Sequence, residues 1–271
     1  MEAEKIIRFS TFLGILMVLA IMETLTPRRE KTVPKAQRWF INLTLVALNP
    51  LSVALVFPLL PMGMAQLAAE HNWGLLNHSA LPFWLKIISG IVMLDLVLYT
   101  QHVLSHAIPA FWRLHRVHHA DLDFDLTTGL RFHPLEIVIS MLVKLAAVAA
   151  IGPPPLAVLL FEIVLNATSM FNHSNIEIPQ KIDLILRMLA VTPDMHRVHH
   201  SVIIRETNSN FGFNLPWWDR LFGTYKDQPA NGHTEMLIGL AQYRDQRKLS
   251  LIRLLIMPFV GDSGVVPINR H

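Results

Sequence analysis

From Trp39 to Ala69 the chain runs through 31 consecutive residues without one Asp, Glu, Lys or Arg. A hydrocarbon core of about 30 Å takes about 20 apolar residues to cross, and where no water reaches, only a helix or a closed barrel satisfies the backbone. That run commits the chain to a membrane. Pro50, Pro58 and Pro61 are expected to kink or break it, giving either one bent helix or a helix plus an interfacial piece. Three more apolar stretches accompany it: Phe9 to Met22, Leu81 to Leu104 with Lys86 and Asp95 inside, and Ile137 to Met170, split by Gly152-Pro153-Pro154-Pro155. Charged residues make up 16%, against about a quarter in soluble domains, so part of the surface is expected to face lipid.

A secretory signal peptide is the competing reading of the first stretch, but Met22-Glu23-Thr24 lacks a small-x-small cleavage pattern. Arg28, Arg29, Lys31, Lys35 and Arg38 follow it, which the positive-inside rule puts in the cytoplasm. The 70–80 loop has no Lys or Arg and reads as external. The halves of the 137–170 stretch, at about 15 residues each, look like a hairpin dipping into or just crossing the bilayer. The expected fold is all-α: a polytopic membrane helical bundle with a cytoplasmic histidine-rich helical cap. No Gly/Ser linker divides it. Residues 1–80 supply N-terminal membrane helices, 81–228 the catalytic region, and 229–271 a C-terminal cytoplasmic tail.

The chain has 14 histidines and no cysteine. Disulfides, thiolate zinc sites, Cys-bound iron–sulfur clusters and a cysteine nucleophile are thereby excluded, while abundant imidazole suits a nitrogen-rich metal site. A net charge of +3 gives no footprint for nucleic acid. Three clusters stand out: His102-Val-Leu-Ser-His106, His115-Arg-Val-His118-His119 and His196-Arg-Val-His199-His200. On a helix, i, i+3 and i+4 share a face about 5–6 Å apart, so each HRVHH presents three imidazoles together. Eight nitrogens exceed the needs of one first-row ion and suit two neighbours.

His173 is a further candidate ligand, with Glu162, Asn166 and Ser169 preceding it on one helical stripe. Asp95, Tyr99, His102 and His106 repeat that spacing. Intramembrane acids usually face a polar interior, so Asp95 and Glu162 are expected either to orient ligating imidazoles through their far N–H or to serve as interhelical hydrogen bonds. His133, in Arg131-Phe-His-Pro-Leu-Glu136, is a ligand, a hydrogen-bond donor to one, or the start of the next helix. His71, His78, His233 and His271 are read as solvated.

Together with Asn210-Phe-Gly and Trp218-Asp219-Arg-Leu-Phe222-Gly223-Thr224, the three boxes resemble the fatty acid hydroxylase / sterol desaturase superfamily of membrane oxygenases, over roughly Leu94 to Tyr225. The resemblance implies two iron ions, O2 activation, and hydroxylation or desaturation of a lipid drawn from the bilayer. It puts His102, His106, His115, His118, His119, His196, His199 and His200 in the ligand boxes and makes His173 the additional histidine. Some relatives bind zinc as isolated. The Trp218–Thr224 stretch is expected to play a structural part at most. With no GxGxxG, P-loop or haem-attachment motif in the chain, electrons have to come from a separate ferredoxin or cytochrome with its reductase. Two readings from other classes compete. A metal transporter would spread its ligands through the membrane depth, and a lipid-hydrolysing metalloenzyme would work without oxygen or reductant.

Overall fold

The computed structural model describes residues 2–264 and 268; His271 lies outside them. Among these residues there is no β-sheet. The helices are α1 (Glu2–Leu25), α2 (Lys35–Val56), α3 (Pro61–Glu70), α4 (Phe83–Ala107), α5 (Pro109–His119), α6 (Pro134–Ile151), α7 (Pro155–Asn172), α8 (Gln180–Leu186) and α9 (Pro193–His199), followed by the short α10 (Ile204–Thr207), α11 (Trp217–Leu221), α12 (Gly232–Glu235) and α13 (Leu251–Ile256). Proline sits in the first turn of α3, α5, α6, α7 and α9, where its missing N–H costs nothing and its fixed φ suits the helix.

Five segments are long and apolar enough to cross a membrane: α1, α2 with α3, α4, α6 and α7. Their outward faces carry large apolar side chains, among them Phe40, Leu55 and Leu142, as lipid in place of water requires. Pro50 lies inside α2 without ending it. The helix instead breaks after Val56 and resumes at Pro61. The hairpin halves are 18 residues each, about 27 Å at 1.5 Å per residue, nearly the full hydrocarbon thickness.

At the end away from the histidines the 70–80 loop meets the short α6–α7 turn. Leu75 and Leu76 donate backbone N–H bonds to Ala150 and Ile151, closing the 70–80 loop on the α6–α7 turn. Gly152 (φ +64°) ends α6 in the left-handed region, and a Cβ there would lie 2.5 Å from the Trp73 carbonyl; only glycine fits.

At the opposite end the basic 28–38 segment is tied into the protein. Arg38 grips Asp121 (Nε–Oδ1 2.7 Å) and Asp125 (Nη1–Oδ2 2.6 Å), Lys31 reaches Asp125 at 3.1 Å, and the Thr32 and Val33 backbone N–H groups donate to Asp123. Arg28 pairs with Asp194. Glu23 accepts from the N–H groups of Leu126 and Asn175. Burial is the largest single influence on the Asp121 and Asp125 carboxyls and pushes them up, but Arg38 together with Arg131 at Asp121, and with Lys31 and Thr127 at Asp125, outweighs it and holds them below the ordinary carboxylate range. The 229–263 stretch is built into the same end. Leu240, Leu249, Leu254 and Met257 share a core with Trp112 and Val117 of α5, and Trp112 Nε1 donates to the Ser263 carbonyl.

Candidate metal centre

Four elements converge at one end of the bundle of membrane-length helices. The C-terminal turns of α4 bring His102 and His106, α5 brings His115, His118 and His119, the end of α7 brings His173, and α9 with the residue after it brings His196, His199 and His200. All nine are 0–3% exposed. They divide into two groups, each with ring nitrogens within 4.8 Å of one another: His102, His106, His115, His119 and His199, and His118, His173, His196 and His200.

The far ring nitrogens fix what the near ones can do. Nδ1 of His102, His173 and His199 each faces a backbone carbonyl at 2.7 Å, of Phe211, Ser169 and Ser209 respectively. His115 Nδ1 faces Glu136 Oε1 at 2.6 Å. A nitrogen facing a carbonyl or carboxylate carries the proton, so Nε2 of each ring is a bare lone pair in the neutral imidazole. His102 and His115 therefore aim two lone pairs at each other across 3.1 Å. Nε2 of His173 meets Nε2 of His118, His196 and His200 at 3.1–3.2 Å, and one lone pair cannot bond to three partners. A cation between them resolves the conflict. Ligands at about 2.1 Å from one ion stand about 3.0 Å apart at right angles and about 3.4 Å apart at tetrahedral angles, which brackets these separations. The nine imidazoles thus fit two transition-metal ions, five nitrogens around one and four around the other, and a sulfur-free nitrogen set of this kind suits iron or zinc.

Burial first, and the proximity of other imidazoles second, hold His118, His119, His196, His199 and His200 far below the usual histidine range. Burial lowers His173 to about 3. At neutral pH these rings are uncharged, the form that ligates metal.

Of the two roles open to Asp95 and Glu162, orienting rings or bonding between elements, the structure shows the second. Asp95 accepts from Trp218 Nε1 (2.8 Å) and the Leu215 N–H. Glu162 binds Lys144 (3.0 Å) and Arg8 (2.8 Å), and Asn166 donates to the Glu162 carbonyl. None of the three touches a histidine, because Asp95 and Glu162 sit two and three turns below the ring level and find nearer partners. Asp95 instead anchors the turn that carries Trp218. Asp219 accepts from the N–H groups of Phe211 and Gly212, which fixes the carbonyl that holds His102. The carboxylate that does hold a ring is Glu136, at the third position of α6. His133 caps that helix, its Nδ1 accepting from the Leu135 N–H, so it belongs to neither group. A His-Pro-x-Glu start, with proline at the first position and an acid at the third, was the signal pointing to Glu136. His233, read as solvated, is buried beside Asp194 (3.6 Å), while His71 and His78 are exposed. Gly129 lets the 126–131 loop approach: a Cβ there would lie 2.2 Å from the Ser169 carbonyl and 2.9 Å from His173 Nδ1.

Comparison with known proteins bears on the same residues. The chain is 28% identical over 236 residues to ornithine lipid hydroxylase of Rhizobium tropici, covering 83% of this chain and 69% of that one. It is 29% identical over 148 residues to human alkylglycerol monooxygenase, covering 53% and 30%, and 25% identical over 178 residues to human cholesterol 25-hydroxylase, covering 64% and 62%. No solved structure matches. Residues 87–224, just over half of the 271, match the fatty acid hydroxylase family, and they contain all nine clustered histidines: the chain is a member of that family.

Proposed function

We propose that this chain is an O2-dependent lipid hydroxylase that holds two iron ions in its nine histidines on the cytoplasmic side of the membrane. The observation that carries the reading is the convergence of bare Nε2 lone pairs, which makes the cluster a metal site, in a family whose similar members act on ornithine lipids, alkylglycerols and cholesterol. Two iron ions held by these histidines would activate O2, the oxidant that attack on an unactivated C–H bond demands. The protein's share is to keep the rings neutral, to fix their tautomers through Phe211, Ser169, Ser209 and Glu136, and to keep bulk water out. The spanning helices beside the cluster give a lipid access from the bilayer, and a separate redox protein delivers the electrons.

Transport is disfavoured because both groups lie at one end of the bundle, and the intramembrane acids toward the other end are held by Trp218, Lys144 and Arg8. Lipid hydrolysis is separated by experiment. Protein purified anaerobically is expected to contain two irons with coupled Mössbauer spectra, and cells supplied with isotopically labelled O2 should place one labelled oxygen in a membrane lipid. Zinc alone in protein active without oxygen would overturn the reading. The chain has no native cysteine, so His78→Cys and Lys248→Cys report sidedness directly. The first is expected to label from outside and the second only after permeabilisation.

A further inference from the structure

Behind His115, on the side away from the metal groups, a cavity of about 360 Å³ lies between α4, α5 and α6. Leu96, Val97 and Leu104 of α4 form one wall, Phe111 and Leu114 of α5 the roof, and Ile139 and Val143 of α6 the other wall. Its hydroxyls are already spent: Thr100 donates to the Leu96 carbonyl and Ser105 to the Gln101 carbonyl, both at 2.9 Å. The walls therefore behave as hydrocarbon. Polar character is confined to Gln101 and Glu136. Glu136 Oε1 is taken by His115, but Oε2 is buried without a hydrogen-bond partner, and a buried unsatisfied carboxylate oxygen is costly unless something meets it.

We propose that this groove binds one hydrocarbon chain of a bilayer lipid, with a hydroxyl or amide N–H of that lipid donating to Glu136 Oε2. Three observations select this occupant. The groove lies between two membrane-length helices, its wall residue Leu104 is itself partly exposed on the outer face and Leu142 points outward beside it, so bilayer lipid is what reaches it. Its volume holds roughly a dozen methylene-sized groups, taking each as about the 30 Å³ of a water molecule. Gln101, midway along the α4 wall, already accepts from Ser140, which leaves Glu136 Oε2 as the unpartnered polar atom of an otherwise apolar wall and matches a chain with a single hydrogen-bonding group. The occupant's polar end then rests one side chain away from the metal groups, because Glu136 bonds on its other oxygen to His115. That the occupant is the substrate, with Val97 and Val143 limiting chain length, rests on the lipid-hydroxylase reading.

The test uses the metal-loaded protein in phosphatidylcholine vesicles containing a photoactivatable ceramide, whose hydroxyl and amide N–H can donate and whose diazirine lies on the acyl carbons next to the amide, with adducts mapped by mass spectrometry. Glu136 is expected to be labelled in the wild type. Val97→Trp and Val143→Trp, which fill the deep end, are expected to lower that label by at least several-fold, leaving metal content and the label on outward-facing Leu142 unchanged. Val143→Phe provides a smaller plug should the tryptophan variants fail to fold. An unlabelled Glu136, or equal labelling in plugged protein that still holds its metal, overturns the proposal. Product analysis separates the two readings. Oxidised lipid should shift to shorter chains in the plugged variants. Labelling as expected with no oxidised lipid from any variant would leave the groove and sink the hydroxylase; oxidised lipid of unchanged chain length with unchanged labelling would do the reverse.

Discussion

The two HRVHH boxes share five letters and use them in opposite ways. From 115–119, the outer histidines, His115 and His119, join the five-nitrogen group and His118 crosses to the other. From 196–200, the outer pair, His196 and His200, joins the four-nitrogen group and His199 crosses back. The cause is helical: positions one and five lie about 40° apart around the axis, while position four falls on their other flank. Two such helices whose histidine faces meet exchange their fourth residues. The intervening residues diverge. Val117 and Val198 are both fully buried, but Arg116 binds the carbonyls of Met257, Val260 and Asp262, whereas Arg197 pairs with Asp194. The same side chain staples the C-terminal region in one box and the N-terminal loop, through the shared Asp194 and Arg28, in the other.

The supporting helices show where the symmetry fails. Asp95, Tyr99, His102 and His106 of α4 correspond in spacing to Glu162, Asn166, Ser169 and His173 at the end of α7. Serine stands where α4 has its first histidine, and the second group therefore has four nitrogens against five. Ser169 is not idle, since its hydroxyl donates to the Gly129 carbonyl and its own carbonyl holds His173.

The largest expected effect breaks the exchange. His118→Ala or His199→Ala removes one nitrogen from the group that the rest of its box does not serve, and each should lower activity more than about 100-fold, beyond the range of losses seen on removing outer partners of ligands. Metal analysis should show each variant depleted, and full metal with full activity in either would show that the crossing residue is not a ligand. Next comes Glu136→Gln, which keeps the shape but weakens the grip on His115; metal affinity should fall about 10–100-fold. Asp95→Asn should leave affinity unchanged, and equal effects in the two titrations would contradict the assignment of Glu136 over Asp95.

Glu162→Gln strands Lys144 and Arg8 and should cost about 3 kcal/mol, read as a lower melting temperature with metal content intact. Loss of metal there would restore a role for Glu162 beside His173. The smallest effect concerns the Arg38–Asp121–Asp125 clamp. Because both carboxyls are held below their unfolded value near about 3.9, their stabilisation is fully present above that pH. It is lost only as pH falls through the lower folded values. Melting temperature against pH should therefore show no clamp-dependent loss between neutrality and about pH 4, and Arg38→Gln should remove the plateau.

The helical fold and the gathering of the box histidines were readable because both rest on spacing along one chain segment. An uncharged run longer than a bilayer leaves few folds open, and i, i+3, i+4 puts imidazoles on one face wherever the helix goes. For Asp95 and Glu162 the same periodicity left two roles open, and the bonds between elements are the ones found; a shared stripe says nothing of how far along the axis a partner lies or what another helix offers closer by. Trp218 is 123 residues from Asp95, and Lys144 is 18 from Glu162. The basic 28–38 segment was read as a topological signal, but its side chains are held by acids some 90 residues on and beyond.

Local rules of backbone hydrogen bonding and apolar burial act within about a turn of helix, so the sequence alone determined a membrane-spanning all-α chain carrying three histidine faces. Which imidazoles share an ion, which carbonyl or carboxylate fixes each tautomer, and where a chain-sized groove opens were decided only by packing. Each depends on two or more elements approaching within about 3–4 Å, a distance that no periodicity within one helix encodes.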